Sequence, residues 1–145
     1  MIKTDVLIIG TGNIALKHAS VICKFYPNLD ITLYNYRNRV FNKQKKKDKE
    51  ILSSFKNITN DHSKIQPCSS KSFAIIASPA SLHMKHAVLF AKKNFHILCE
   101  KPLTSNMRYL RDLIKVLNRN NLSSHVGYNM RFLQSIIFLK KTIDK

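Results

Sequence analysis

Acidic residues are scarce in this chain: eight Asp and Glu stand against 25 Lys and Arg, giving a formal net charge of +17. An excess of that size suits a polyanionic partner, held by an attraction that weakens steeply with salt. Arginine is scarce as well, at six of those 25 residues, although bidentate phosphate and base recognition favour it. The lysines instead accompany many Asn and Ile, as in proteins from AT-rich coding sequence, so specific nucleic-acid binding is not expected. Cysteine is limited to Cys23, Cys68 and Cys99. An odd number without CxxC or Cys/His zinc spacing argues against a disulfide framework and a structural metal, and for a reducing, cytoplasmic setting. Long apolar runs are missing. Val6 to Ile9, Phe73 to Ala77 and Ile136 to Leu139 all fall far below the ~18 residues that span a bilayer, so no membrane association is expected. The first run reaches its glycines too soon for a secretory signal, and Met1 is expected to start the mature protein.

What is present fits one packed domain, with 145 residues of which 44% are hydrophobic. Val6-Leu7-Ile8-Ile9 reads as a buried parallel strand ending at Gly10. Ile14, Ala15, Ala19, Ile22 and Cys23 then recur at helical spacing as far as Pro27, and Ile31 to Tyr34 is a second β-rich run. Together these make a βαβ unit. Lys43 to Phe55 reads as a solvated, lysine-rich helix with Ile51, Leu52 and Phe55 inward. A short strand at Lys56 to Ile58 and a loop through Pro67 and Ser70 follow. Strand Phe73 to Ala77, helix Leu82 to Lys93, strand Phe95 to Cys99, helix Ser105 to Asn120, strand Ser124 to Gly127 and an amphipathic segment from Leu133 to Ile143 complete the chain. Alternation of this kind predicts an α/β fold, a Rossmann-like doubly wound parallel sheet in a single domain.

The chemistry is expected where strands end. Gly10-Thr11-Gly12-Asn13-Ile14-Ala15 fits the GxGxxG/A fingerprint between a strand and a helix. Its first glycine allows a tight turn, its second lets a pyrophosphate approach the backbone, and Ala15 permits close helix packing. The helix N-terminus would then face the phosphates of a dinucleotide; the alternative is a structural turn. After the second strand come Asn35, Tyr36, Arg37 and Arg39, with no Asp or Glu. An acid there would bind the ribose hydroxyls of NAD, whereas arginine meets the 2′-phosphate of NADP, so the lean is to NADP over NAD, with Arg37 or Arg39 as the contact. Either could equally be an ordinary solvated charge.

His83 and His86 lie three apart with Met84 where a zinc-protease motif needs Glu, which gives no metal site. Ser81 is expected to cap the following helix. Lys101 stands at a strand's C-terminal edge, fixed by Pro102, where an ammonium can donate to a substrate hydroxyl or developing alkoxide during hydride transfer. A surface lysine is the alternative. Glu100 would orient it rather than carry a proton.

The glycine turn, the pair Ala77-Ser78-Pro79-Ala80-Ser81-Leu82-His83 and Glu100-Lys101-Pro102, and the segment His125 to Phe132 resemble, in order, motifs of the Gfo/Idh/MocA family, the glucose-fructose oxidoreductase and inositol dehydrogenase group. In that family the lysine of the Glu-Lys-Pro signature lies beside the nicotinamide. The resemblance places Ser78 and Pro79 near the nicotinamide ribose and matches His83 to the histidine after the proline corner, where capping or packing is the alternative. It directs Asn129 and Arg131 towards the substrate. It implies oxidation or reduction at a hydroxyl carbon of a sugar or cyclitol, carried out with a second domain that supplies the substrate wall. On that resemblance residues 1–132 form the nucleotide-binding domain, and 133–145 begin a linker to a domain not found in this chain. A truncated, inactive half is therefore expected. A short enzyme completed by a partner chain, and a non-catalytic basic binding module, are the alternatives. Leu133, Ile136, Ile137, Leu139 and Ile143 would leave an apolar face open to a partner or to self-association.

Overall fold

The computed structural model describes residues 1–42, 44–104 and 107–144. Its main sheet has six parallel strands: β2 (Val6–Ile9), β3 (Ile31–Tyr34), β4 (Asn57–Thr59), β6 (Phe73–Ile76), β7 (His96–Cys99) and β8 (Ser124–Val126). They lie in the order β4-β3-β2-β6-β7-β8. The chain thus winds outward from β2 in one direction, returns, and winds outward from β6 in the other, which is the doubly wound dinucleotide-binding topology. Its reversal falls between β2 and β6, paired in register from Val6↔Phe73 to Ile9↔Ile76.

Alternation along the strands sends successive side chains to opposite faces. Val6 and Ile8 pack with Ala15, Leu16, Ala19 and Ile22 of α1 (Asn13–Phe25) and with Ile51 of α2 (Lys46–Ser54). Leu7 and Ile9 pack on the other face with Ala87, Phe90 and Ala91 of α3 (Ala80–Ala91) and Leu113 of α4 (Leu110–Arg119). All four residues of β2 are fully buried, because the strand has a neighbour on each side and helices above and below. Phe90 and Phe95 are fully buried as well and meet edge to face, with centroids 6.2 Å apart.

The structure adds a feature the sequence does not announce. β1 (Ile2–Thr4) pairs in parallel with β5 (Ile65–Pro67), from within the stretch read as a loop. Asp5 turns the chain from β1 into β2, its amide donating to the Asp30 carbonyl at 3.0 Å. Two helix starts differ from expectation. α3 begins at Ala80 with Pro79 in the cap position, so Ser81 lies in the first turn and caps nothing. Tyr109 adopts a left-handed φ of 68°, which a helix cannot run through, and α4 therefore begins only at Leu110. The expected starting points Lys43 and Ser105, and the final residue Lys145, lie outside the described residues. The last helix, α5 (Gln134–Ile143), buries none of its side chains and packs on the 3-10 turn Asn129–Phe132. Among the described residues no helix is long and apolar enough to cross a membrane.

Candidate functional site

A crevice of about 520 Å³ opens at the C-terminal ends of β2 and β6, lined by residues of the Gly10-Thr11-Gly12 turn, the Tyr36-Arg37-Arg39 segment and the Ala77-Ser78-Pro79 corner. It sits at the switch point, where doubly wound sheets place ligands. The two glycines act differently there. Gly10 has φ of +121°, and a Cβ on it would stand 2.5 Å from the Ala77 carbonyl oxygen; only glycine lets the turn press against β6. Gly12 is extended, and a Cβ on it would meet nothing within 4 Å. The space it keeps open lies beside the start of α1, whose first-turn amides and dipole favour an anion.

The crevice unites Gly10, Thr11, Gly12, Arg37, Ser78 and Pro79. Asn13 instead lines a groove of about 650 Å³ between α1 and α2. Ile14, 43% exposed, points outward. That groove is larger, but it includes no residue of the Gly10-Thr11-Gly12 turn or of the Ala77-Ser78-Pro79 corner, which the crevice brings together.

The two arginines separate clearly. Arg39 pairs with Asp48, a buried carboxylate from the first turn of α2, and also donates to the Thr11 carbonyl at 3.4 Å. Asp48 accepts the Asn42 amide at 2.7 Å besides. Asn35 fixes the same loop, donating to the Arg39 carbonyl at 2.8 Å and accepting its amide at 3.0 Å. Arg39 is thus a latch between the β3 loop, the glycine turn and α2. Arg37 is exposed on the crevice rim, its guanidinium 5.5 Å from the Tyr36 ring centroid.

Beneath the corner lie two histidines. His83, 2% exposed, has Nδ1 2.7 Å from the Pro102 carbonyl and Nε2 2.7 Å from the Ser78 carbonyl. Carbonyl oxygens only accept and a neutral ring carries one N–H, so the ring donates to one of the two carbonyls and packs against the other, filling the space between the two proline corners. It does not line the crevice; packing is its observed role. His86 places Nδ1 2.9 Å from the Ser78 hydroxyl and meets the Tyr36 ring at a tilt of 60°, with centroids 4.9 Å apart. Burial, aided by Lys85 and His83, pushes the His86 pKa down to about 4, so near neutral pH it is an uncharged support for Ser78. The sequence offered no pointer to His86 beyond its position one turn after His83.

Glu100 and Lys101 follow β7. The Glu100 carboxylate accepts from His18 Nε2 at 2.7 Å with one oxygen and from the Lys101 backbone N–H at 3.3 Å with the other. It therefore holds the lysine's backbone. Lys101 is exposed, and among the described residues its ammonium makes no hydrogen bond or ion pair. Cys99 is buried and its thiol is pushed up to about 12, by burial first and by Glu100 second, so it is no nucleophile. Asn129 and Arg131 are exposed in the turn after β8; Arg131 lines a separate cavity with residues of α5. The structure does not bring them to the crevice. No cluster of three or more metal-ligating side chains occurs among the described residues.

Sheet order, glycine turn and corner are those of a dinucleotide-binding Rossmann domain. The family described as oxidoreductase family, NAD-binding Rossmann fold, Gfo/Idh/MocA, matches residues 4–128, and this chain belongs to it. Among curated relatives, scyllo-inositol 2-dehydrogenase (NADP(+)) IolU of Bacillus subtilis strain 168 is 37% identical over 70 residues, covering 48% of this chain and 21% of its own. Glucose-6-phosphate 3-dehydrogenase of the same organism is 32% identical over 69 residues, covering 48% and 20%. The match thus spans about a fifth of each relative's length. Among solved structures, scyllo-inositol dehydrogenase from Lactobacillus casei with bound NAD(H) and scyllo-inositol superposes with a TM-score of 0.72 at 20% identity, covering 99% of this chain and 41% of that one. The WlbA dehydrogenase from Bordetella pertussis with NADH and UDP-GlcNAcA gives 0.74 at 17%, covering 98% and 41%. At those identities the likeness is one of fold.

Proposed function

We propose that this domain binds NADP(H) in the crevice between the Gly10 turn and the Ser78-Pro79 corner, and serves hydride transfer at a hydroxyl carbon of a sugar or cyclitol. The carrying observation is the pairing of Asp48 with Arg39. It neutralises the buried carboxylate that α2 brings to the loop after β3 and leaves Arg37 on the rim as the cation for a 2′-phosphate. IolU, an NADP(+) enzyme, accords with this choice. Lys101 is assigned a place beside the nicotinamide, touching the bound cofactor and reaching the substrate hydroxyl, since its backbone is fixed while its ammonium makes no hydrogen bond or ion pair among the described residues. Arg37→Asp should lower NADPH affinity about tenfold or more, the size expected for a charge-assisted phosphate contact, while leaving NADH affinity little changed or improved. Calorimetric titration with both cofactors checks this. A wild-type protein that prefers NADH would overturn the NADP assignment.

Residues 1–132 are taken as the nucleotide-binding unit and 133–145 as a connection leaving it, because α5 buries none of its side chains. The exposed Phe132, Phe138 and Ile143, each more than 70% accessible, make that end the surface for self-association. The charge of +17 opposes it at low salt, and screening removes that opposition. Light scattering should therefore show growing assemblies as salt rises; a monodisperse monomer throughout would refute this part of the reading.

A further inference from the structure

We propose that His18 is a positioning residue for Lys101, acting through the Glu100 carboxylate; this rests on the assignment of Lys101 above. His18 lies on α1, the helix that begins at the glycine turn, and reaches the end of β7 to donate its Nε2 proton to Glu100 at 2.7 Å. The other Glu100 oxygen accepts the Lys101 amide. One carboxylate therefore ties the phosphate-facing helix to the backbone of the lysine. Both partners are largely covered, with side-chain exposures of 28% and 20%, which makes the contact worth more than a solvated surface pair. Gly127 closes the third side: a Cβ there would come 3.4 Å from the Glu100 carboxylate atoms. On the far flank of Lys101 the Pro102 carbonyl packs against His83, 2.7 Å from its Nδ1. Lys101 is thus anchored on both sides of its backbone while its side chain is left to reach outward, and the His18 contact is the anchor that comes from the cofactor-binding helix.

The arrangement predicts that loss of His18 acts only through Lys101. NADPH affinity of the full chain would be measured by calorimetry for wild type, His18→Leu, Lys101→Ala, the double variant, and His18→Gln, whose amide can donate from near the Nε2 position. Circular dichroism would confirm that each is folded. Lys101→Ala and His18→Leu should each weaken binding by about threefold to tenfold, with no further loss in the double variant, as for residues that act as one unit. His18→Gln should restore affinity to within about twofold of wild type, a rescue that mere core filling would not give. Losses that multiply in the double variant, or a His18→Leu protein that binds as wild type does, would overturn the positioning role alone. A wild type that binds no dinucleotide, or a Lys101→Ala variant with unaltered affinity, would overturn the assignment of the site and the positioning role with it. Should His18→Leu fail to fold, Glu100→Gln takes its place in the same cycle, with the same outcomes.

Discussion

Gly12→Val should cost at least about 100-fold in NADPH affinity, some 2.7 kcal/mol, and leave the melting temperature nearly unchanged. The glycine's backbone is extended, a conformation valine prefers, and apart from its chain neighbours no described residue stands within 4 Å of the added Cβ. The new side chain fills only the space left for a pyrophosphate. Gly10→Ala should do the reverse damage. Its φ of +121° disfavours any L side chain, and the Cβ would press on the Ala77 carbonyl at 2.5 Å, so β2 and β6 would have to part. A loss of more than about 3 kcal/mol of stability is expected from strain and clash together. Thermal melts beside calorimetry on both variants separate the two effects. Equal NADPH affinity in wild type and Gly12→Val would remove the crevice as the binding site.

Acid should unfold this protein through His86. Its pKa is depressed from 6.5 to about 4 by burial. The unfolded chain therefore takes up a proton below about pH 6.5, while the folded one refuses it until about pH 4. The stabilising effect of the neutral ring is complete above that window and is lost as pH falls through it. A difference of that size amounts to up to about 3 kcal/mol. His86→Gln keeps a group able to bond the Ser78 hydroxyl but does not titrate. Urea unfolding at pH 7 and pH 4.5 should show a drop in wild type that is smaller in the variant by about 2 kcal/mol or more. Equal drops in the two proteins would show that some other group carries the acid sensitivity.

The central strands and the glycine turn were legible because β2, β6 and β7 are short apolar runs that each stop at a polar corner, and the doubly wound parallel sheet followed from their alternation with helices. β1 and β5 were not. Three residues each, Ile-Lys-Thr and Ile-Gln-Pro, are too few to show a period, and they are strands only because Ile2 and Ile65 meet across 63 residues of chain. The site was legible as a location and much less so as a set of contacts. Arg37 and Arg39 look alike in sequence; what separates them is Asp48, brought in by α2. Its signal was faint but present, as an acid set in the first turn of a lysine-rich helix. His18 had a comparable signal, one turn beyond Ala15 on the inward side of α1, yet its partner Glu100 lies 82 residues away. The Ser81 cap failed because Pro79 sets the start of α3 two residues earlier than the serine motif suggested.

Between β2 and its neighbour β6 the chain makes a full excursion through α1, β3, α2, β4, β1's partner and back, and the paired residues Val6 and Phe73 are 67 positions apart. The crevice has one wall from each strand, so neither half of the chain holds it alone. Closing so long a loop is slow, and it precedes the contacts that reward it. The dinucleotide pocket therefore exists only once that crossover is complete. A cofactor that recognises both walls binds only molecules that have completed the crossover, and by mass action it draws the population of partly assembled chains towards the finished sheet.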